Sequence, residues 1–400
     1  MQASKIQAGF AALSIAVLLM SACGGGGGGG TTTGTTTVLS AYVANYGDGT
    51  ISQYTINPTT GALTPKSPAT VCSMIVSSIC NANSIPTSVA VDPTGRYAYV
   101  ANSGDYVISQ FTVGSGGALQ PMNPATVPSG SGGPTSIAID PSGKYAYVAN
   151  SSSHEVVQFT IGVGGALSTP SSMVPLGTTA FPGPVAIAVD PTGKYVYVVD
   201  QGSNLIEQFS IVSGGGLQPM STSTVSTGTN SYPISIGFDP AGTNAYVVNY
   251  GNFAGSAVKS TITQYSIAAA NTATPGALTP ASTAIPTLLN NATSIVIDHA
   301  GTYAYVANGS GLYQLPINNS DGSLNTSTSI APIVTGGTTP QSVAIDSSGK
   351  FVYVANQIGN NGISATGSVS QFNVGSGFVY AQDVPAGNQA YFITTAVSIQ

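Results

Sequence analysis

The stretch Ile137 to Asn150 reads IAIDPSGKYAYVAN, and close variants of it recur along nearly the whole 400-residue chain. A unit repeated at a nearly constant period constrains a fold more than composition does, because each copy must fold alike and bury its apolar faces against its neighbours. Ile137-Ala138-Ile139 is a short apolar run closed by a turn signal, which marks a buried strand. Asp140-Pro141-Ser142-Gly143 fits a type I turn: proline presets φ, and the Asp side chain can bond the backbone ahead of it. Tyr145 to Ala149 reads as a second strand, with Tyr145, Tyr147 and Ala149 facing one way and Ala146 and Val148 the other. The unit is therefore a β-hairpin.

The second-strand motif appears seven times, ending at Asn45, Asn102, Asn150, Asp200, Asn249, Asn308 and Asn356. The first-strand motif appears six times, ending at Asp92, Asp140, Asp190, Asp239, Asp298 and Asp346, at spacings of 48, 50, 49, 59 and 48. A third strand follows each unit, marked by Gln before an aromatic (Gln110-Phe111, Gln158-Phe159), and then a Gly-rich turn and a fourth segment. Four strands per roughly 50 residues predict an all-β, seven-bladed propeller of four-stranded blades over residues 38–400. The first unit lacks its innermost strand. Thr395 to Gln400 resembles Thr135 to Asp140, so the C-terminal strand is expected to complete the N-terminal blade. An echo of the repeat at Gly387 to Phe392 leaves too little chain for an eighth blade. The 50 Gly and 25 Pro fit a chain of frequent turns.

Residues 1–22 read as an export signal: Lys5 supplies the positive end, and Ala8 to Met20 is an apolar run too short to span a bilayer comfortably. Leu19-Met20-Ser21-Ala22-Cys23 resembles the lipobox of bacterial lipoproteins, with Met20 in place of the usual Leu. That resemblance implies lipidation at Cys23. Residues 23–37, with seven consecutive glycines and TTTGTTT, form a flexible tether. The expected location is the bacterial cell envelope, with a membrane held through the lipid as partner. Charged residues are 5% of the chain, and its seven basic residues are scattered, which argues against nucleic acid as a partner. A monomer is expected.

Departures from the repeat locate candidate function. Strand direction alternates, so the loop between strands two and three shares a face with the loop into the next blade. Three of four long insertions, at Asn249–Gln264, Asn356–Gln371 and Leu63–Asp92, fall on that face. Loops on a rigid scaffold carry function, so Tyr250, Phe253, Lys259, Gln357 and Asn360 are binding-face candidates. Cys72 and Cys80 are expected to form a disulfide closing a small loop in an oxidising compartment. His154, Glu155, Glu207 and Lys259 are the candidate catalytic side chains, with His154 and Glu155 read as solvated loop residues and Glu207 as a surface strand residue. His299 and the cations Arg96, Lys144, Lys194 and Lys350 are turn residues. The six repeated aspartates each open their own turn. No zinc spacing, EF-hand or phosphate loop is present, so neither metal nor cofactor is expected.

The units of the form PxSxAxDPxGxYxYVAN, such as Pro134 to Asn150, resemble the YVTN-type propellers of the bacterial seven-bladed lactonase-like family. Gln158 to Leu167, a Gln-Phe strand followed by Gly-Gly-Ala-Leu, adds to the likeness. The resemblance covers residues 38 to about 375 and implies the fold, together with hydrolase or cyclase chemistry on small acidic sugar or ring compounds as in the 6-phosphogluconolactonases. No catalytic residue carries over by position, and the only arginine, Arg96, sits at a repeat turn. The expected function is accordingly a lipid-anchored scaffold binding a protein, glycan or small molecule through the insertion-bearing face. The alternative is a lactonase-like hydrolase.

Overall fold

The computed structural model describes residues 38–76, 79–177, 183–251, 259–281, 285–325, 332–358, 366–374 and 378–398. Seven of their antiparallel sheets pack innermost strand against innermost strand in an unbroken circle, a seven-bladed propeller; an eighth, two-stranded, pairs Ile75–Val76 with Ile79–Cys80. Blade 3 is typical: Pro134–Ile139, Tyr145–Asn150, Glu155–Thr160 and Ser172–Pro175 follow one another from axis to rim. In blade 6 the described residues give three strands, with the bridges Leu312–Ile333 and Ile317–Leu324 along the outer edge. The Asp-Pro turns and the Gly-rich turns lie at one end of the ring, here the turn end. The second-to-third-strand loops and the blade-to-blade connections lie at the other, the loop end.

The core is a set of seven layers, one between each pair of neighbouring blades. Strand alternation feeds these layers. Tyr147 and Ala149 of blade 3 enter the layer shared with blade 4, whereas Ala146 and Val148 enter the layer shared with blade 2. Both faces of each sheet are thus covered, which is why YAYVAN is buried almost throughout instead of alternating apolar with polar.

The polar members of the repeat lock one blade to the next. The Tyr147 hydroxyl donates to the Gly215 carbonyl of blade 4 at 2.8 Å, and equivalent bonds run from Tyr99 to Gly165 at 2.5 Å and from Tyr197 to Gly276 at 2.6 Å. The same bond from Tyr353 to Gly61, at 2.8 Å, joins blade 7 to blade 1. Gly165 adopts φ +82°, and a Cβ there would lie 2.2 Å from the Tyr97 ring, so both the turn and the packing require glycine. The repeated Gln serves the same joint: Gln110 Oε1 accepts from Leu167 N at 2.6 Å, and Gln53 Oε1 from Leu119 N at 2.7 Å. Nearer the axis, Ser136 Oγ accepts from Ile187 N of blade 4 at 3.2 Å. The aspartates do close their own turns: Asp140 Oδ1 accepts from Lys144 N at 2.8 Å and Tyr145 N at 2.7 Å, and Oδ2 from Ser142 N at 3.1 Å.

Blade 1 is completed by the C-terminal strand Ala390–Ser398, which pairs with Val38–Asn45. The register differs from the sequence-based expectation. Asn45 pairs with Ala390 and Val43 with Ile393, whereas in blade 3 Asn150 pairs with Pro134 and Val148 with Ile137. Ile393, not Val397, therefore occupies the position of Ile137. Its amide donates to Ser342 Oγ at 3.4 Å, the same joint as between blades 3 and 4. Burial chose this register: Tyr391 and Phe392 enter the layer between blades 1 and 2. The echo at Gly387 to Phe392 thus belongs to the closing strand.

Replacing Tyr147 by Phe leaves the Gly215 carbonyl buried without its donor and should lower stability by about 1–2 kcal/mol. Urea titration reads this as a lower midpoint with an unchanged slope. An unchanged midpoint would show that the joint rests on packing alone.

Candidate functional site at the loop end of blades 3 and 4

The loop end has its own repeat. The residue ending each second strand is fully buried, and in four blades it is an asparagine bonded to a hydroxyl seven or more residues on. Asn45 Nδ2 donates to Ser52 Oγ at 2.9 Å, Asn102 to Ser109 at 2.8 Å, Asn249 to Thr263 at 2.8 Å and Asn356 to Ser370 at 2.8 Å. A neutral amide paired with a neutral hydroxyl is well suited to this enclosed place, because neither partner carries a charge to desolvate.

Blade 4 breaks the pattern at both positions at once. Asp200 stands where the other blades have Asn, and Glu207 where four blades have Ser or Thr and the remaining two have Val157 and Tyr313. Asp200 is fully buried and Glu207 is 4% exposed. Burial pushes the Glu207 carboxyl up to about 7; its hydrogen bond from Gly177 N opposes this, the Asp200 charge reinforces it, and the charge of His154 pulls against it. The Gly177 bond measures 3.0 Å. Asp200 is itself anchored by the Ser203 hydroxyl, which donates to Oδ2 at 2.9 Å. His154 arrives from the neighbouring blade 3, on a turn where its backbone adopts the left-handed φ of +51°. Gln201, next to Asp200 and 1% exposed, has an Nε2 with no hydrogen-bond partner among the described residues. The arrangement joins a carboxyl that titrates near neutrality, a second carboxyl and an imidazole, with the amide of Gln201 next to Asp200 along the chain. Such a set can accept a proton from water and return one to a leaving group.

The remaining candidates lie apart from this set or serve other ends. Glu155 Oε1 accepts from Ser131 N at 3.0 Å and from Asn150 Nδ2 at 3.2 Å, which ties the connection between blades 2 and 3. Lys259 opens the blade 5 strand Lys259–Ile267 at the loop end. Tyr250 packs against the layer between blades 5 and 6, so it is partly a core residue. Gln357 is half-buried near the end of Phe351–Ile358. Phe253, Asn360 and Cys23 lie outside the described residues. Cys72 and Cys80 form the expected disulfide, with Cα atoms 4.9 Å apart. Beside that bridge, Asn81 Nδ2 reaches Asp105 Oδ2 at 2.8 Å. Among the described residues no three His, Cys, Asp or Glu side chains converge as metal ligands would. Glu207 corrects the sequence-based reading: it is not a surface strand residue, because the blades cover both faces of the strand that carries it. Asp200 was not among the candidates. Its signal was present in the coincidence of two carboxyls replacing two neutral residues in one blade.

The family model described as lactonase, 7-bladed beta-propeller matches residues 41–367. The chain belongs to that lactonase family. Solved structures agree in fold. A Bacteroides fragilis protein named as a candidate 6-phosphogluconolactonase superposes with a TM-score of 0.70 at 18% identity, over 90% of this chain and 98% of its own. The Bacteroides uniformis counterpart gives 0.70 at 19%, over 90% and 99%. The periplasmic gluconolactonase of Pseudomonas aeruginosa gives 0.69 at 18%, again over 90% and 99%. No curated protein matches the sequence. Membership of the lactonase family overturns the expectation of a binding scaffold and favours the lactonase alternative. The scaffold reading rested on the anchor, the tether, the insertions gathered on one face and the lack of a catalytic set in the sequence; it overlooked that blades 3 and 4 bring acid-base groups together across their joint.

The raised Glu207 pKa predicts how stability depends on pH. Between the ordinary carboxyl value of 4.5 and about 7, native Glu207 keeps a proton that the unfolded chain has released. Stability therefore falls as pH rises through that window and levels off above it. Glu207→Gln should remove this component, so the difference in unfolding free energy between variant and wild type should change across pH 4.5–7. A difference independent of pH would place Glu207 in a solvated setting.

Proposed function

We propose that the protein is a lactonase-like hydrolase whose reaction takes place at the joint of blades 3 and 4, at the loop end. The observation that carries this reading is the Asp200–Glu207 pair beside His154, where blade 4 carries carboxyls both at the end of its second strand and at the facing third-strand position. Ionised Glu207 takes a proton from water as the water oxygen attacks the lactone carbonyl carbon. The oxyanion that forms accepts a hydrogen bond from Gln201 Nε2, which has no partner among the described residues. The tetrahedral centre then collapses, the ring C–O bond breaks, and His154 gives a proton to the departing oxygen. Glu207 returns its proton to His154, and the product is the open-chain hydroxy acid. Asp200 acts as a positioning residue: its negative charge helps hold the Glu207 pKa near neutrality.

Glu207→Gln is expected to lower kcat by about 10²–10⁴-fold in a lactone-opening assay, with KM little changed. Wild-type kcat/KM should rise with pH through a midpoint near 7 as Glu207 loses its proton. Full activity in this variant would remove Glu207 from the reaction. In the same reading, the enzyme works in the cell envelope, held by a lipid on Cys23 and standing off the membrane on residues 24–37. Cys23→Ala should move the protein from the membrane fraction to the soluble one; continued membrane association would rule out that anchor.

A further inference from the structure

The ionisable residues are divided unequally between the two ends of the ring. Of the seven Lys and Arg in the chain, Arg96, Lys144, Lys194 and Lys350 follow the Asp-opened turns at the turn end. Lys66 lies towards that end too, where its Nζ donates to the Gly116 carbonyl at 2.7 Å. Lys5 precedes the propeller, which leaves Lys259 as the cation at the loop end. The thirteen carboxylates are shared almost evenly, and six of them (Asp48, Asp105, Glu155, Asp200, Glu207 and Asp383) belong to the loop end or the strand halves that lead into it. At the turn end, five cations offset seven carboxylates. At the loop end, one lysine and one histidine face six.

We infer that the site accepts lactones without an anionic substituent and discriminates against phosphorylated ones. This rests on the hydrolase reading above and narrows its substrate class. A phosphate group needs clustered arginine or lysine donors, and among the described residues the groups acting on the Asp200–Glu207 pair include one imidazole and no lysine or arginine. The donor next to Asp200 in the chain, Gln201 Nε2, is a neutral amide with no partner among the described residues, and its residue is 1% exposed. It matches a neutral carbonyl or sugar hydroxyl and offers no charge to a dianion. The surrounding carboxylates also repel an anion before it arrives, and that repulsion is screened by salt over a Debye length of about 10 Å at 0.1 M.

The test compares full-length protein on gluconolactone and on its 6-phosphate, each at roughly 20 mM and 200 mM NaCl, conditions that bracket that screening length. The expected result is a kcat/KM at least about tenfold higher for the neutral lactone at low salt. The gap should narrow at high salt, because only the phosphorylated substrate gains from screening. Equal or better turnover of the phosphorylated lactone at low salt would overturn the selectivity and leave the hydrolase reading standing. A preference for the neutral lactone that salt does not alter would overturn the electrostatic cause. Turnover of neither would bring down the hydrolase reading and this inference with it.

Discussion

The structure depends on the joint between neighbouring blades. A four-stranded sheet of this size has two apolar faces and no independent way to hide them, so each blade is stable only between two others. The tyrosine–glycine bond, the glutamine–leucine bond and the serine bond near the axis give that stacking a fixed spacing and direction. Each consists of a side chain from one blade and a backbone group of the next. A backbone group presents the same geometry whatever its residue, so the repeat needs to conserve only the side chain and the glycine that lets the turn approach.

The same joint explains the electrostatics of the site. Because sheets are covered on both faces, an ionisable group turned into a layer between blades is desolvated, and in four blades the chain places neutral Asn with Ser or Thr at the enclosed loop-end positions. Exchanging two of them for carboxyls in blade 4 puts acid groups where charge is costly. The raised pKa of Glu207 is the result. His154 comes from the adjacent blade, so the set exists only once blades 3 and 4 have stacked. Destabilising that layer would be expected to disturb the chemistry even where none of the acid-base residues is altered.

Much of this was legible in the chain. Blade number, strand order, the Asp-closed turns, the closing role of the C-terminus and the Cys72–Cys80 bridge all follow from local patterns. Glu207 and His154 were legible as departures from the repeat, but their burial and proximity were not. Position in a repeat says which strand a residue occupies; it does not say what the neighbouring blade lays over it. Asp200 was passed over because Asp for Asn at a strand end looks conservative when the turn is read alone. The closing strand was placed four residues out of register, since its pattern fits two alignments and only the burial of Tyr391 and Phe392 separates them.

By itself, the sequence determined the architecture: period, turn chemistry and alternation are local properties, and their repetition multiplies a weak signal sevenfold. The ring, once implied, also determined that no single repeated residue could be the site. Only the tertiary structure decided which departures from the repeat matter. A carboxyl acquires its pKa from everything packed around it, and for Glu207 that surrounding includes Gly177 and His154 from another blade, 30 and 53 residues away along the chain but in contact or within electrostatic reach across the joint.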